Sequence, residues 1–90
     1  MPIIKFTNAL KRFFPALSET SIPANTLPQI LEELEKLHPG LRNYIVDEQG
    51  VLRKHVNIFI DGDLIHDRNK LSDTFSERSE IYIMQALSGG

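Results

Sequence analysis

The 90-residue chain contains no cysteine, and its aromatic side chains are limited to five phenylalanines and two tyrosines. Without cysteine it can form no disulfide and no zinc–thiolate site, and it has no thiol nucleophile of its own. This composition fits a reducing compartment, in which disulfides are rare. Covalent chemistry on this chain must therefore use another group.

The sequence also lacks a strong excess of charge of one sign. Ten lysines and arginines stand against twelve aspartates and glutamates, which gives a net charge of −2. We therefore expect neither nucleic acid nor an anionic membrane as a partner. No apolar run approaches the ~20 residues of a transmembrane helix. Residues 1–14 lack the apolar core and the cleavage site of a signal peptide, so we expect a cytoplasmic protein.

Catalytic and metal-binding motifs are absent from the sequence as well. The three histidines have no partner at a ligand spacing. Asp61, Asp63 and Asp67 resemble the start of a calcium loop, but Ile65 and His66 stand where a ligand and a glycine are required. No Gly-rich phosphate loop and no serine nucleophile elbow occurs. We expect a chain that binds no cofactor and is not an enzyme on its own.

The clearest predicted element is an amphipathic helix that begins after Thr26. Thr26 and Gln29 form a capping box, and Pro39-Gly40 predicts the end of the helix. Apolar residues recur at spacings of three and four, while the other face is acidic. We expect the apolar stripe to pack on a sheet, because a membrane-surface helix carries a basic face. The stripe contains Leu27, Ile30, Leu31, Leu34 and Leu37.

Short apolar segments with a period of two predict strands on both sides of the helix. Asp61-Gly62 separates two of them and is a strong signal for a type I′ hairpin turn. A mixed sheet of four to five strands, covered on one face by one main helix, buries both apolar surfaces, so we predict an α+β fold. We expect the final strand to lie centrally, beside the first. The predicted strands are residues 2–7, 17–23, 53–60, 63–66 and 80–86, with helical turns at 41–46 and 71–75.

The last ten residues, IYIMQALSGG, run from a strand-like segment into two glycines. Glycine has no Cβ, so such an end can pass extended through a narrow channel and present its carboxylate. A carboxylate is a poor electrophile, but adenylation by ATP provides AMP as a leaving group that sulfide, a thiol or an amine can displace. We predict a folded domain over residues 1–86 and a flexible tail over residues 87–90. A frayed end or a remnant of cloning is the alternative.

Three features carry a family resemblance: the strand–strand–helix opening, the segment HVNIFIDGDLI at residues 55–65, and the terminal Gly89-Gly90. On these features the whole chain resembles the ubiquitin-like sulfur carriers of the β-grasp fold. This family includes the molybdopterin synthase small subunit, the thiamine sulfur carrier and the cysteine-biosynthesis carrier. Residues 55–65 and the preceding Arg53 favour the cysteine-linked branch. The chain departs from the family at residues 76–80, where a Gly-Asp turn is common, and at residues 85–86, where a proline is common.

The resemblance implies a carrier on which other enzymes act. An adenylating enzyme similar to the ubiquitin-activating enzymes would activate the Gly90 carboxylate with ATP, and a sulfide or persulfide donor would convert it to a thiocarboxylate. The thiocarboxylate would supply sulfur in an acceptor enzyme, such as a cysteine synthase or the large subunit of molybdopterin synthase. Leu87, Ser88 and Gly89 would thread into the partner. We expect the free carrier to be a monomer.

The strands nearest the tail provide a candidate docking surface. Alternation along these strands sends one set of side chains to the core and sends Phe59, Tyr82 and Met84 to the opposite, open face. We predict that these three residues form a docking patch, although packing across the strands also explains them. Phe13 and Phe14 are predicted to anchor their loop to the core rather than to contact a partner.

Two other functions fit the same residues. A protein modifier would start from the same adenylate but would join Gly90 to a target lysine through an isopeptide bond. A passive ubiquitin-fold module would use the domain for binding and would leave the glycines without a role. The attacking nucleophile separates the first two functions, and the sequence does not identify it.

Overall fold

The first and last strands of the described chain lie side by side in the middle of one mixed sheet. The structure, a computed structural model, describes residues 1–85. Its elements are β1 (Ile3–Phe6), α1 (Asn8–Lys11), β2 (Thr20–Ser21), α2 (Leu27–Leu37), α3 (Leu41–Ile45), β3 (Val56–Ile60), β4 (Asp63–Leu64) and β5 (Glu80–Gln85). The strand order is β2-β1-β5-β3-β4, with β1 and β5 parallel and the other neighbours antiparallel. The predicted central position of the last strand is confirmed.

The core lies between one face of this sheet and the helices. Alternate residues of the three inner strands are buried with the stripe of α2 in a single apolar cluster, which confirms the α+β prediction. Within residues 1–85, none of the helices has both the length and the apolar character needed to cross a membrane. The buried strand residues are Ile4, Phe6, Val56, Ile58, Ile81 and Ile83.

α2 begins and ends close to the residues that its capping signals indicate. The Thr26 hydroxyl accepts a hydrogen bond from the amide of Gln29 (3.2 Å), and the Gln29 side chain accepts one from the amide of Asn25 (2.9 Å). After the helix, Gly40 adopts a φ of +95°, a conformation that L side chains rarely take. Its amide donates to the carboxylate of Glu35 at 2.8 Å. Both helix ends are therefore satisfied locally.

The predicted apolar stripe of α2 holds for four of its five members. Leu37 is 60% exposed, so its predicted place in the core is wrong. The helix ends at Leu37, and the chain turns at residues 38–40 to start α3, whose first residue, Leu41, is fully buried. The leucine after the turn thus occupies the core in place of the one before it. The buried members are Leu27, Ile30, Leu31 and Leu34.

The segment between β1 and α2 is less regular than predicted. The second strand covers Thr20–Ser21 rather than residues 17–23, because only these residues pair with β1. The loop after β1 contains the short helix α1, which was not predicted. Phe14 packs against the core as predicted, but Phe13 is 60% exposed and does not anchor the loop.

The β3–β4 hairpin has the predicted turn and a further tie to the start of β5. Asp61 and Gly62 have φ angles of 51° and 88°, as a type I′ turn requires. The return strand is shorter than predicted and ends at Leu64. The Asp61 carboxylate accepts hydrogen bonds from the hydroxyl of Ser79 and the amide of Glu80, both at 2.9 Å. Ser79 is buried here, within the segment where the family commonly has a Gly-Asp turn.

Residues 71–75 do not form the predicted helical turn, because two carboxylates take the local amide groups. Asp67 accepts hydrogen bonds from the amide of Lys70 and the hydroxyl and amide of Ser72, which lower its pKa to about 2. Asp73 accepts from the backbone amides of His66 and Asp67, and its pKa is also lowered. The chain therefore turns at residues 68–70, before the segment in which the helical turn was predicted.

A pair of leucines on α2 tests the position of the core. Leu34→Ala removes a fully buried side chain and leaves a cavity, so we expect the free energy of unfolding to fall by about 2–5 kcal/mol. Leu37→Ala, one turn later on the exposed face, should change it by no more than about 0.5 kcal/mol. Urea unfolding followed by circular dichroism measures both. Equal losses would contradict the observed packing.

The loop that contains Asp67 and Asp73 makes the free energy of unfolding depend on pH. The pKa of Asp67 drops from its ordinary 3.8 to about 2 on folding, so its stabilising contribution is present above 3.8 and is lost as the pH falls towards 2. Asp73 acts in the same direction. We expect Asp67→Asn to flatten the decline in stability over this window, measured by urea unfolding at a series of pH values. Asp63→Asn, on exposed β4, is the control and should leave the decline unchanged.

Candidate functional site

The sheet face opposite α2 carries a row of side chains that crosses four strands. Tyr82 on β5 pairs with Lys5 on β1 and with Phe59 on β3. Phe59 pairs in turn with Leu64 on β4, which is 48% exposed. Because directly opposite residues of neighbouring strands point to the same face, these four side chains form one continuous row.

An open depression of about 160 Å³ lies on this face. Met84 follows Tyr82 by two residues and therefore points to the same side of β5. The structure thus brings the three predicted docking residues together around one concavity, and each is partly exposed. The lining residues are Phe59, Gly62, Glu80, Tyr82 and Met84. We call Phe59, Leu64, Tyr82 and Met84 the open-face patch.

Charged side chains border the open-face patch on the β1 side. The Lys5 ammonium lies 3.3 Å from the carboxylate of Glu80 and 3.8 Å from that of Glu19. These groups are well exposed, so they contribute little to stability. An apolar centre with a charged rim is the usual anatomy of a protein-binding surface.

Arg68 holds the start of β3, beside the open-face patch. One guanidinium nitrogen donates to the side chain of Asn57 at 2.9 Å, and the other donates to the carbonyls of Arg53 (2.7 Å) and Val56 (2.9 Å). Asn57 pairs directly with Met84. The loop after β4 therefore supports β3, the strand that carries Phe59.

Several residues of this face were missed by sequence reasoning. Leu64 could have been found, because a two-residue turn at 61–62 places it opposite Phe59. Lys5 and Glu80 could not, because their positions depend on the pairing of β1 with β5, which lie more than seventy residues apart in the sequence. Arg68 belongs to a loop with no periodic pattern.

β5 leads directly from the open-face patch towards the predicted tail. The amide of Gln85 donates to the hydroxyl of Thr7 at 3.2 Å, and the amide of Thr7 donates to the carbonyl of Ile83 at 3.3 Å. These bonds hold the last described residue at the end of β1. The predicted tail residues Leu87, Ser88, Gly89 and Gly90, and the domain boundary at residue 86, lie outside the described residues.

The carboxylates of residues 1–85 whose contacts are well defined bind groups of the fold itself. In residues 1–85, no three histidine, aspartate or glutamate side chains come close enough to hold a metal ion. The acids whose pKa is clearly lowered serve local backbone amides, as in the loop of Asp67 and at Glu35, where the amides of Gly40 and Arg42 are bound. Their role is structural.

Comparison with models of protein families identifies the family of the chain. A model of the ThiS family matches residues 4–90, which is nearly the whole sequence. The chain belongs to the ThiS family. Membership confirms the resemblance to the ubiquitin-like sulfur carriers and, with the strand order described above, the β-grasp fold.

Solved structures share the fold of this ThiS-family protein at low sequence identity. One chain of the Amycolatopsis orientalis BexX/CysO complex matches with a TM-score of 0.83 and 17% identity over 100% of both chains. Mycobacterium tuberculosis CysO matches with 0.80 and 18%, over 97% of this chain and 100% of that one. The small archaeal modifier protein 1 from Methanosarcina acetivorans matches with 0.78 and 22%, over 99% and 95%. A search of curated proteins gives no match to the chain.

Proposed function

We propose that this protein is a sulfur carrier whose reacting group is the carboxylate of Gly90. The observation that carries the proposal is the ThiS-family match, which runs through Gly89-Gly90 to the end of the sequence. The described residues support it, because they form a folded domain whose last strand leads towards the tail. Partner enzymes would bind the domain, and the tail would present the carboxylate that reacts.

The proposed chemistry takes place at the terminal carbonyl carbon. A carboxylate oxygen of Gly90 attacks the α-phosphorus of ATP in a partner adenylating enzyme, which gives the acyl adenylate and pyrophosphate. Hydrosulfide then attacks the acyl carbon, and AMP leaves, so that a thiocarboxylate remains. A persulfide donor would give an acyl disulfide, which a second thiol reduces to the same product. The carrier binds no cofactor, and the partner enzyme consumes the ATP.

The open-face patch is proposed to hold these partners. It lies on the strand that continues into the tail, so an enzyme that covers the patch also receives the terminal carboxylate. The adenylating enzyme and the acceptor enzyme would use the patch in turn, because one tail serves both. We propose that the carrier works in the cytoplasm and is a monomer between encounters.

The acceptor is proposed to be a biosynthetic enzyme that builds a sulfur metabolite, such as cysteine, molybdopterin or thiamine. The segment HVNIFIDGDLI and Arg53 favour the cysteine-linked branch. The domain alone does not select among these acceptors, because the thiocarboxylate chemistry is the same in each.

A protein modifier is the second candidate function. It is supported by the likeness to the small archaeal modifier protein 1, which shares the fold over nearly the full length of both chains. A lysine amine, rather than hydrosulfide, would displace AMP from the same adenylate and form an isopeptide bond. The two functions therefore share the first step and differ in its nucleophile.

Mass spectrometry of the protein from its native cells tests the sulfur-carrier proposal. We expect a fraction of the intact chain to be heavier by about 16 Da, since sulfur replaces one oxygen of the Gly90 carboxylate. Deletion of Gly89-Gly90 should abolish this form, while Lys70→Ala, an exposed change elsewhere, should keep it. Conjugates to other proteins that vanish with the same deletion would instead support the modifier. If the deletion leaves the cellular role intact, both proposals fail and a passive module remains.

Matched leucines test the open-face patch. Leu64→Glu places a charge in the patch, and Leu37→Glu places the same charge at a similarly exposed leucine on α2. We expect Leu64→Glu, like Met84→Glu, to lower kcat/KM for adenylation by about 10-fold or more, because a buried unpaired charge opposes docking. Leu37→Glu should stay within about 2-fold of the wild type. Equal effects of the two leucine changes would rule out docking on this face.

A further inference from the structure

A cluster of rings lies outside the open-face patch, between the end of α1, helix α3 and the start of β3. Tyr44 is its centre, with ring centroids at 5.3 Å from Phe13, 5.7 Å from Phe14 and 5.4 Å from His55. Tyr44 and Phe14 pack against the core, so their place is explained by folding. Phe13 is largely exposed, and its ring extends this cluster into solvent.

This ring cluster lies at the end of the sheet where β5 finishes. Gln85 pairs with Val56, which directly follows His55. On its other side, the amide of Gln85 donates to Thr7, the residue that leads into α1 and from there to the two phenylalanines. The last described residue therefore lies between two of the three segments that carry the rings, the one that leads into α1 and the start of β3.

Cationic residues are neighbours in sequence of the residues that carry the rings. Lys11 and Arg12 directly precede Phe13, and Lys54 directly precedes His55. Among residues 1–85, no ion pair neutralises any of these three cations. Each is partly or well exposed. We call Lys11, Arg12, Phe13, Tyr44, Lys54 and His55 the tail-end patch.

The acids closest to this region in sequence belong to the turn after α3. Asp47 and Glu48 line a depression together with Arg53, which therefore is not counted in the tail-end patch, and Asp47 also borders a depression with Lys54 and His55. The Asp47 carboxylate accepts hydrogen bonds from the amides of Gln49 (2.8 Å) and Val51 (3.0 Å). This carboxylate therefore binds the backbone of its own turn.

Three acidic residues, of which the glutamate is paired with Lys5, lie at the opposite end of the sheet. Asp61 and Asp63 form the hairpin there, and Glu80 opens β5. A chain with a net charge of −2 is thus polarised along β5, with cations at the end where the tail begins. Such an arrangement orients an approaching partner as well as attracting it.

We propose that the tail-end patch binds an acidic surface on a partner enzyme, beside the channel that receives the tail. The inference rests on the proposed function and adds a second docking surface to it. Unneutralised cations select a partner of opposite charge, and the exposed Phe13 ring supplies apolar contact at the same place. The open-face patch holds the domain, while the tail-end patch sets the direction from which the carboxylate enters.

A pair of triple variants tests this surface in adenylation by the activating enzyme of the chain's own cells. Lys11→Glu/Arg12→Glu/Lys54→Glu should raise KM for the carrier by about 10-fold or more at low ionic strength, with kcat nearly unchanged. Lys36→Glu/Lys70→Glu/Arg78→Glu reverses three exposed cations elsewhere and gives the same net charge. It should change KM by no more than about 2-fold. Added salt should shrink the difference, because exposed charges are screened.

A second measurement does not depend on adenylation. Titration of the ¹⁵N-labelled full chain with poly-L-glutamate should shift the amide signals of residues 11–13, 44, 54 and 55, and the first triple variant should lose these shifts. Equal KM values for the two triple variants, or poly-glutamate shifts centred elsewhere, would overturn the inference. If the enzyme does not adenylate the wild type, the proposed function fails, and the titration alone then decides whether the patch binds acidic surfaces.

Discussion

The parallel pairing of β1 with β5 is the contact on which the rest of the structure depends. It joins residues 3–6 to residues 80–83, so the sheet closes only when almost the whole chain is present. β5 then takes β3 on its other side and completes the layer on which α2 packs. Because β5 is central, one strand contributes to the core, to the open-face patch and to the start of the tail.

The features of the fold that could be predicted are those decided by local chemistry. The capping residues around α2 and the Asp61-Gly62 turn act within a few residues of themselves, and both were read correctly. Leu37 was misplaced because the helix ends at this residue, and the chain then turns at residues 38–40 and buries Leu41 instead. The helical turn predicted at residues 71–75 was wrong because the carboxylates of Asp67 and Asp73 accept hydrogen bonds from nearby backbone amides. No periodic pattern in the sequence indicates this role.

The residues of the candidate site likewise fall into those that a local pattern could predict and those that it could not. Alternation along β3 and β5 was sufficient to place Phe59, Tyr82 and Met84 on one face, because a strand has a fixed period of two. The charged rim and the tail-end patch were not predictable, because they depend on which distant segments become neighbours. Phe13 is the clearest case, since only the position of α3 decides whether its ring is covered.

The central position of β5 also determines how the domain bears a load. A pull on the chain beyond Gln85, along the strand, would strain the ladders to β1 and β3 together, in shear, rather than opening one bond at a time. At the other end of β5, Asp61 fastens the amide of Glu80 and resists the same displacement. A machine that unfolds proteins from their last residue would therefore meet its highest mechanical barrier at its first step.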